Sequence, residues 1–216
     1  MEGVGERYTR RMAVACPSCG SDNAERAKFC SECAAPLLDP TAHRPRETRR
    51  TVTLLFADVS GSTALGERLD PESLRGMMNR YFALMRHAVE AHGGTVEKFV
   101  GDAVMSVFGL PQLHEDDALR AVRAANEARD ALLELNMELE RSLNLKLSVR
   151  MGLNTGEVVA GDAGAGQGFV TGDAVNTAAR LEQAAPPGEI LLGASTYQLV
   201  RDAVDGEAAI VYWRRI

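Results

Sequence analysis

Two aspartates lie where apolar, strand-like runs end or reverse. Asp58 follows the run TVTLLFA, and Asp102 lies between TVEKFV and AVMSVFG. Residues at such points display their side chains at the rim of a sheet while the backbone stays anchored in the core. Two carboxylates brought together repel each other unless a cation lies between them. The pattern predicts a divalent-metal site and hence phosphate chemistry; the alternative is two unrelated aspartates in surface turns.

All four cysteines fall in one short segment with the spacing C-x2-C-x10-C-x2-C. They are Cys16, Cys19, Cys30 and Cys33. Two closely spaced thiol pairs suit tetrahedral Zn²⁺, and four thiolates leave no open position for catalysis. We therefore predict a structural zinc ribbon over residues 14–38, whose metal supplies most of its folding free energy because so short a unit has almost no core. A disulfide pair or free thiols are the alternatives, and a reducing compartment disfavours the disulfide.

Composition narrows the class of protein. The chain has 216 residues, a net charge of −6 and a pI near 5.3. This length suits one ordinary domain with a small appendage, and the acidic balance gives no field that would attract nucleic acid. No apolar run reaches the roughly 18–20 residues that span a bilayer, and the N-terminus lacks the apolar stretch of a secretory signal. We expect a cytoplasmic protein, which starts at Met1 or at Met12.

The segment after the ribbon, residues 39–50, is rich in proline and charge and predicts a linker. The strand TVTLLFADV follows, and Asp70-Pro71 then begins a helix that Gly93-Gly94 ends. Gly101-Asp102 predicts a tight hairpin with the carboxylate at its tip.

Seven more elements complete the pattern beyond this hairpin. They are a long helix from about Glu115 to Glu140, two strands around Gly156, a short strand and helix in FVTGDAVNTAARLEQAA, and a strand and helix in EILLG and STYQLVRDA. The Gly-rich run GDAGAGQG predicts a flexible hairpin connection, since it lacks the features of a nucleotide-binding loop. Irregular alternation with one clear antiparallel hairpin predicts an α+β fold, ferredoxin-like, with helices packed on an antiparallel or mixed sheet.

Four segments in order resemble the catalytic domain of class III nucleotide cyclases. They are TLLFADVSGST, GGTVEKFVGDAVMSVFG, VRMGLNTGEVVAGD and TGDAVNTAARLEQAAPPGEILLG. The resemblance covers a catalytic domain at residues 51–204 and implies an adenylate cyclase, a lyase that forms 3′,5′-cyclic AMP and pyrophosphate from ATP. It also implies that Asp58, Asp102 and the backbone carbonyl of Val59 bind two Mg²⁺ or Mn²⁺ ions.

The same resemblance assigns the nucleotide-binding residues. Asn176 and Arg180, four apart on one helix face, match the pair that orients the ribose and stabilises charge on the α-phosphate. Lys98 matches the base-selecting position, and an ammonium suits the N1 acceptor of adenine. The alternatives are a solvated helix arginine and an exposed strand lysine.

Two features depart from the family pattern. Phe169 occupies the second base-contacting position and cannot hydrogen-bond an amino group; Thr171, on the same strand face, is the candidate substitute. The tail at residues 205–216, DGEAAIVYWRRI, does not match the strands that follow in the family, so we expect a divergent or truncated end. The second hypothesis is therefore a catalytically weak or inactive cyclase-like module for nucleotide sensing or dimerisation.

The resemblance also implies partners. In this family the metal aspartates come from one protomer, while the lysine, asparagine and arginine come from the other. A homodimer with two shared active sites follows, since this chain has both sets. The zinc ribbon is a candidate contact for a regulatory protein, and nucleic-acid binding by the ribbon is the alternative that acidic composition disfavours.

Overall fold

The computed structural model describes residues 13–16, 18–24, 27–37, 48–161, 170–204 and 210–211. The chain divides into two compact units, residues 1–46 and residues 47–216. No helix in the described ranges combines the length and the apolar character needed to cross a membrane.

The smaller unit contains one antiparallel pair of short strands. Strand β1 (Ala13–Ala15) pairs with β2 (Asp22–Ala24). The chain after β2 returns through a bridge between Phe29 and Pro36. Cys16 directly follows β1 and is buried, as is Cys30. Cys19 and Cys33 are exposed, so the two buried cysteines provide much of the small interior of this unit.

The larger unit is built on a mixed sheet. Its strands are β3 (Thr48–Val59), β4 (Thr95–Val100), β5 (Ala103–Phe108), β6 (Val149–Ala160), β7 (Val170–Thr171), β8 (Ile190–Leu192) and β9 (Ile210–Val211). The order is β4-β5-β3-β6-β8-β9, with β7 paired to β6. Strands β4, β5, β3 and β6 are antiparallel neighbours, whereas β8 and β9 add in parallel. The predicted α+β fold with a mixed sheet is confirmed.

The described part of the chain contains five helices, which pack on both faces of this sheet. They are α1 (Ser62–Arg68), α2 (Pro71–Ala91), α3 (Asp117–Leu143), α4 (Asp173–Ala184) and α5 (Ala194–Val200). Alternate residues of β3 point to opposite faces. Leu55 and Val59 pack in the main core with α2 and α3, whereas Leu54 packs in a second cluster with Ala178 of α4. The sheet is therefore buried on both sides.

Predicted helix positions hold within a few residues. Asp70 accepts a hydrogen bond from the Ser73 N–H at 2.9 Å and caps α2, as predicted. The long helix α3 begins at Asp117 rather than Glu115 and continues to Leu143, where Asn144 ends it in a left-handed conformation with φ of 51°. The prediction of two strands around Gly156 is wrong, because β6 runs unbroken from Val149 to Ala160.

Gly156 serves close packing rather than a chain reversal. It pairs with Val52 of β3 inside the ladder, and a Cβ atom there would lie 2.8 Å from the Cβ of Ala174. A glycine inside a strand commonly marks such a close approach. The Gly-rich run GDAGAGQG, predicted as a flexible hairpin connection, lies outside the described residues from position 162 onward. Strand β3 begins inside the segment assigned to the linker, and β9 lies inside the tail at 205–216.

Candidate active site

Asp58 lies near the end of β3, half-buried, with Val59 as the strand's last and buried residue. The register places Asp58 directly opposite Arg150 of β6. Arg150 donates a hydrogen bond from Nη2 to Asp58 Oδ2 at 2.8 Å. This contact is the main reason that the pKa of Arg150 is raised, so the guanidinium stays charged beside the carboxylate.

Asp102 lies at the tip of the hairpin between β4 and β5, as predicted. Gly101 before it adopts φ of 63°, a left-handed conformation that favours glycine in a tight turn. Strand β5 pairs with β3 up to Val104 opposite Ala57, which brings the hairpin tip beside the end of β3. The two aspartates that the sequence singled out therefore lie at the same end of the sheet, where β3 ends and the β4–β5 hairpin turns. This end of the sheet is called the acidic edge.

Tyr81 of α2 lies beneath this edge and is fully buried. Burial is the main cause that raises the pKa of Tyr81, and the charges of Asp58 and Asp102 raise it further. Its hydroxyl has no hydrogen-bond partner among the described residues.

Glu182 of α4 provides a second acidic contact for Arg150. The distance from Arg150 Nε to Glu182 Oε1 is 2.8 Å, while the Glu182 side chain is only 8% exposed. The N–H direction does not meet hydrogen-bond geometry, so this contact is an ion pair. Burial raises the pKa of Glu182, and Arg150 partly opposes that shift. Arg150 therefore lies between one carboxylate on β3 and one on α4.

Neither Arg150 nor Glu182 was among the site residues predicted from the sequence. One signal for Glu182 was available, because it follows Ala178 by four residues on the buried stripe of an amphipathic helix. A charge at a core position requires a partner. Arg150 gives no comparable local signal, since its importance depends on strand register.

The predicted nucleotide-binding residues lie at the surface of the described chain. Lys98 is exposed on β4, Thr171 is exposed on β7, and Asn176 and Arg180 are exposed on α4. Within the described part of the chain these four side chains form no hydrogen bond or ion pair with Asp58 or Asp102. Phe169 lies outside the described residues. The chain thus places Asp58 and Asp102 at one end of the sheet, while the four predicted nucleotide-binding residues are exposed.

The four cysteines of the smaller unit form a compact cluster. Their Sγ atoms all lie within 4.8 Å of one another. The closest pairs are Cys16–Cys33 at 3.6 Å and Cys19–Cys30 at 3.5 Å. Zinc–sulfur bonds of about 2.3 Å in a tetrahedron place sulfurs about 3.8 Å apart, so the cluster has the size that such an ion requires.

Hydrogen bonds around Cys30 also favour metal binding. The backbone N–H of Cys33 is the main cause that lowers the pKa of Cys30 to about 6. Buried Asn23 donates from Nδ2 to Cys30 Sγ at 3.6 Å and accepts from the Ser31 N–H at 2.9 Å. A thiolate held in this way is the form that binds metal.

The fold and the acidic site can now be compared with known protein families. A family model described as adenylate and guanylate cyclase catalytic domain matches residues 45–210. The chain therefore belongs to the class III adenylate and guanylate cyclase family.

Individual relatives include both kinds of cyclase. An adenylate cyclase of Anabaena cylindrica is 33% identical over 159 residues, which cover 72% of this chain and 31% of that protein. The crystal structure of the adenylyl cyclase CyaB from P. aeruginosa superposes with a TM-score of 0.70 at 36% identity, covering 74% of this chain and 84% of that one. The guanylyl cyclase Cya2 gives a TM-score of 0.66 at 37% identity, covering 71% and 79%. The chain thus spans under a third of the Anabaena protein.

Proposed function

We propose that this chain is an adenylate cyclase that converts ATP into 3′,5′-cyclic AMP and pyrophosphate for intracellular signalling. The observation that supports this most directly is the shared sheet edge of Asp58 and Asp102, next to the charged Arg150. In the reaction, the ribose 3′-oxygen bonds to the α-phosphorus, the bond from that phosphorus to the β-phosphate oxygen breaks, and pyrophosphate and a proton leave.

The donors at this edge fit two Mg²⁺ or Mn²⁺ ions. Hard cations prefer oxygen ligands, and Asp58, Asp102 and the backbone carbonyl of Val59 are all oxygen donors. Such ions, when bound, neutralise the triphosphate and lower the pKa of the attacking hydroxyl. Asp58 and Asp102 would hold these ions, and buried Val59 anchors the end of β3 in the core.

The exposed residues provide the nucleotide contacts. Arg180 meets two α-phosphate oxygens with its planar guanidinium, and Asn176 orients the ribose. Lys98 donates to N1 of adenine, and Thr171 supplies the hydroxyl near the exocyclic amino group. These side chains are exposed and contact neither Asp58 nor Asp102 within the described residues. This supports a homodimer in which each site combines Asp58 and Asp102 of one chain with the nucleotide-binding set of its partner.

Turnover is the test of the enzyme proposal. The purified chain is incubated with Mn²⁺ and either ATP or GTP, and the cyclic product is separated by chromatography. We expect cyclic AMP from the native chain and none from Asp102→Asn, while Asp130→Asn, which changes an aspartate with a 72% exposed side chain on α3, retains activity. Cyclic GMP as the main product would overturn the adenine assignment. No product in any sample would instead favour the sensing or dimerisation module.

Mixing variants tests the shared site. Asp58→Asn and Arg180→Ala chains are each expected to be inactive, and a mixture in equal amounts should recover about a quarter of the native activity. Half of the dimers are then mixed, and each contains one intact site of two. Mixing Asp58→Asn with Asp102→Asn provides the control, because both changes damage the same half of the site. Equal activity in the two mixtures would refute the shared arrangement.

The cysteine cluster supports one structural Zn²⁺ per chain. The four cysteines form no disulfide, and the Sγ–Sγ distances fit a tetrahedral site. We place such a chain in a reducing cytoplasm, where thiolates persist for metal binding. The ribbon, as a separate unit, is the proposed contact for a regulatory protein. Pull-down of a specific partner by the full chain, lost with Cys30→Ser, tests this role.

A further inference from the structure

We infer that Glu182 is a positioning residue for the metal-binding edge, acting through Arg150 on Asp58. This inference rests on the proposed metal site, but not on turnover of ATP. The three side chains form one chain of contacts, with 2.8 Å from Glu182 Oε1 to Arg150 Nε and 2.8 Å from Arg150 Nη2 to Asp58 Oδ2.

The burial of Glu182 is the first argument. Its side chain is 8% exposed and lies on the helix stripe that includes Ala178 and Leu181, where an apolar residue would pack at no electrostatic cost. A buried carboxylate is costly unless it is paired, and an apolar replacement of a buried pair is often neutral or stabilising. Arg150 is its only ion-pair partner among the described residues. Stability alone therefore does not account for a carboxylate here.

The geometry of Arg150 is the second argument. A guanidinium with one acidic partner can still swing, whereas charge attraction at Nε together with a hydrogen bond from Nη2 restricts how far the group can move. Glu182 contacts Nε and leaves Nη2 directed at Asp58. The carboxylate thus fixes the arginine, and the arginine fixes one oxygen of Asp58. Residues that contact a metal ligand, rather than the metal itself, orient that ligand in other proteins.

Charge gives the third argument. Arg150 lies between two acids, so its positive charge is shared and only partly neutralises Asp58. If Glu182 lost its charge, Arg150 would interact with Asp58 alone and compete more strongly with a cation for that carboxylate. Removing the Glu182 charge should therefore weaken metal binding rather than strengthen it.

The test measures metal binding directly. Mn²⁺ is titrated by calorimetry into the zinc-loaded full chain, with Glu182→Gln as the variant that keeps shape and removes charge. We expect the dissociation constant for Mn²⁺ to rise by about tenfold, a loss typical of replacing a residue that supports a metal ligand. The matched control is Glu157→Gln, which removes a carboxylate from an exposed ion pair with Arg49 on the same sheet. The control should bind Mn²⁺ like the native chain.

A shorter acid separates positioning from simple charge. Glu182→Asp retains the charge but is one methylene short of Arg150 Nε, so the inference predicts weakened binding in this variant too. Native affinity in Glu182→Asp combined with weak binding in Glu182→Gln would overturn it, as would native affinity in both. Thermal unfolding of each variant checks folding. Asp58→Asn must abolish the Mn²⁺ binding signal. If it does, and the native chain still forms no cyclic product from ATP, the enzyme proposal is refuted while this inference stands.

Discussion

Gly152 of β6 is where helix α4 comes closest to the sheet, and replacing it with alanine should disturb the site without changing any polar group. A Cβ atom at this position would lie 2.5 Å from the carbonyl oxygen of Ala178, and nearer still to the backbone nitrogen of Glu182. Both obstacles are helix backbone, so no side-chain rotation relieves them. The helix itself has to move away from the strand.

The size of that movement follows from the distances. An ordinary contact begins at about 3.4 Å, so α4 must shift by about 1 Å. Overpacking of this kind costs about 1–3 kcal/mol of folding free energy. The shift also lengthens the contact from Glu182 to Arg150 and displaces Arg180 on the same helix. Misplacement by about 1 Å can lower a rate by about a hundredfold.

The experiment combines denaturant unfolding with cyclase turnover for Gly152→Ala. The matched control is Gly76→Ala on α2, where a Cβ atom meets nothing within 4 Å. Alanine favours a helix interior over glycine by about 0.5–1 kcal/mol, so the control should be as stable as the native chain or more so. Native stability and native turnover in Gly152→Ala would refute the proposed close packing of α4 on β6.

Three further changes test other parts of the structure. Tyr81→Phe removes a buried hydroxyl that has no described partner, so the free energy of unfolding should stay within about 0.5 kcal/mol or rise; a loss above about 1.5 kcal/mol would show a hydrogen bond that the structure does not contain. Asp70→Ala removes the cap of α2. The pKa of the Asp70 carboxyl is lowered mainly by the hydrogen bond from the Ser73 backbone N–H. The native chain should therefore unfold at higher denaturant at about pH 7, and its advantage should shrink as the pH falls below the ordinary aspartate range; an advantage that grows in acid would contradict the cap. Chelation, or Cys30→Ser, should release one zinc ion per chain and remove amide protection from residues 13–37 only, since the larger unit has its own core; loss of the larger unit's protection as well would contradict independent folding.

Local sequence patterns were enough to locate the elements and the acidic pair. Capping at Asp70 and the glycine at Gly101 act within a few residues, so the start of α2 and the hairpin tip at Asp102 could be predicted. Asp58 and Asp102 were predicted because each ends or interrupts an apolar run. The mixed α+β sheet followed from the order of these elements.

Contacts between distant segments could not be predicted in the same way. Arg150 meets Asp58 across 92 residues of chain, through a strand register that no short pattern determines. Glu182 joins them only because α4 lies against Gly152. Gly156 was misinterpreted for a related reason, since glycine can mark either a chain reversal or a close approach. Lys98, Asn176 and Arg180 remain predictions, because their proposed partners belong to a second chain.

The most direct test of the central claim is binding of Mn²⁺ with α,β-methylene-ATP, which cannot be cyclised, to the native chain and to the double variant Asp58→Asn, Asp102→Asn. We expect calorimetry to show a complex with the native chain. Binding to the double variant should be at least about a hundredfold weaker, since removing two ligand carboxylates leaves few oxygen donors at this edge. Equal affinity of the two proteins would show that the paired aspartates do not hold the metal and would contradict the account.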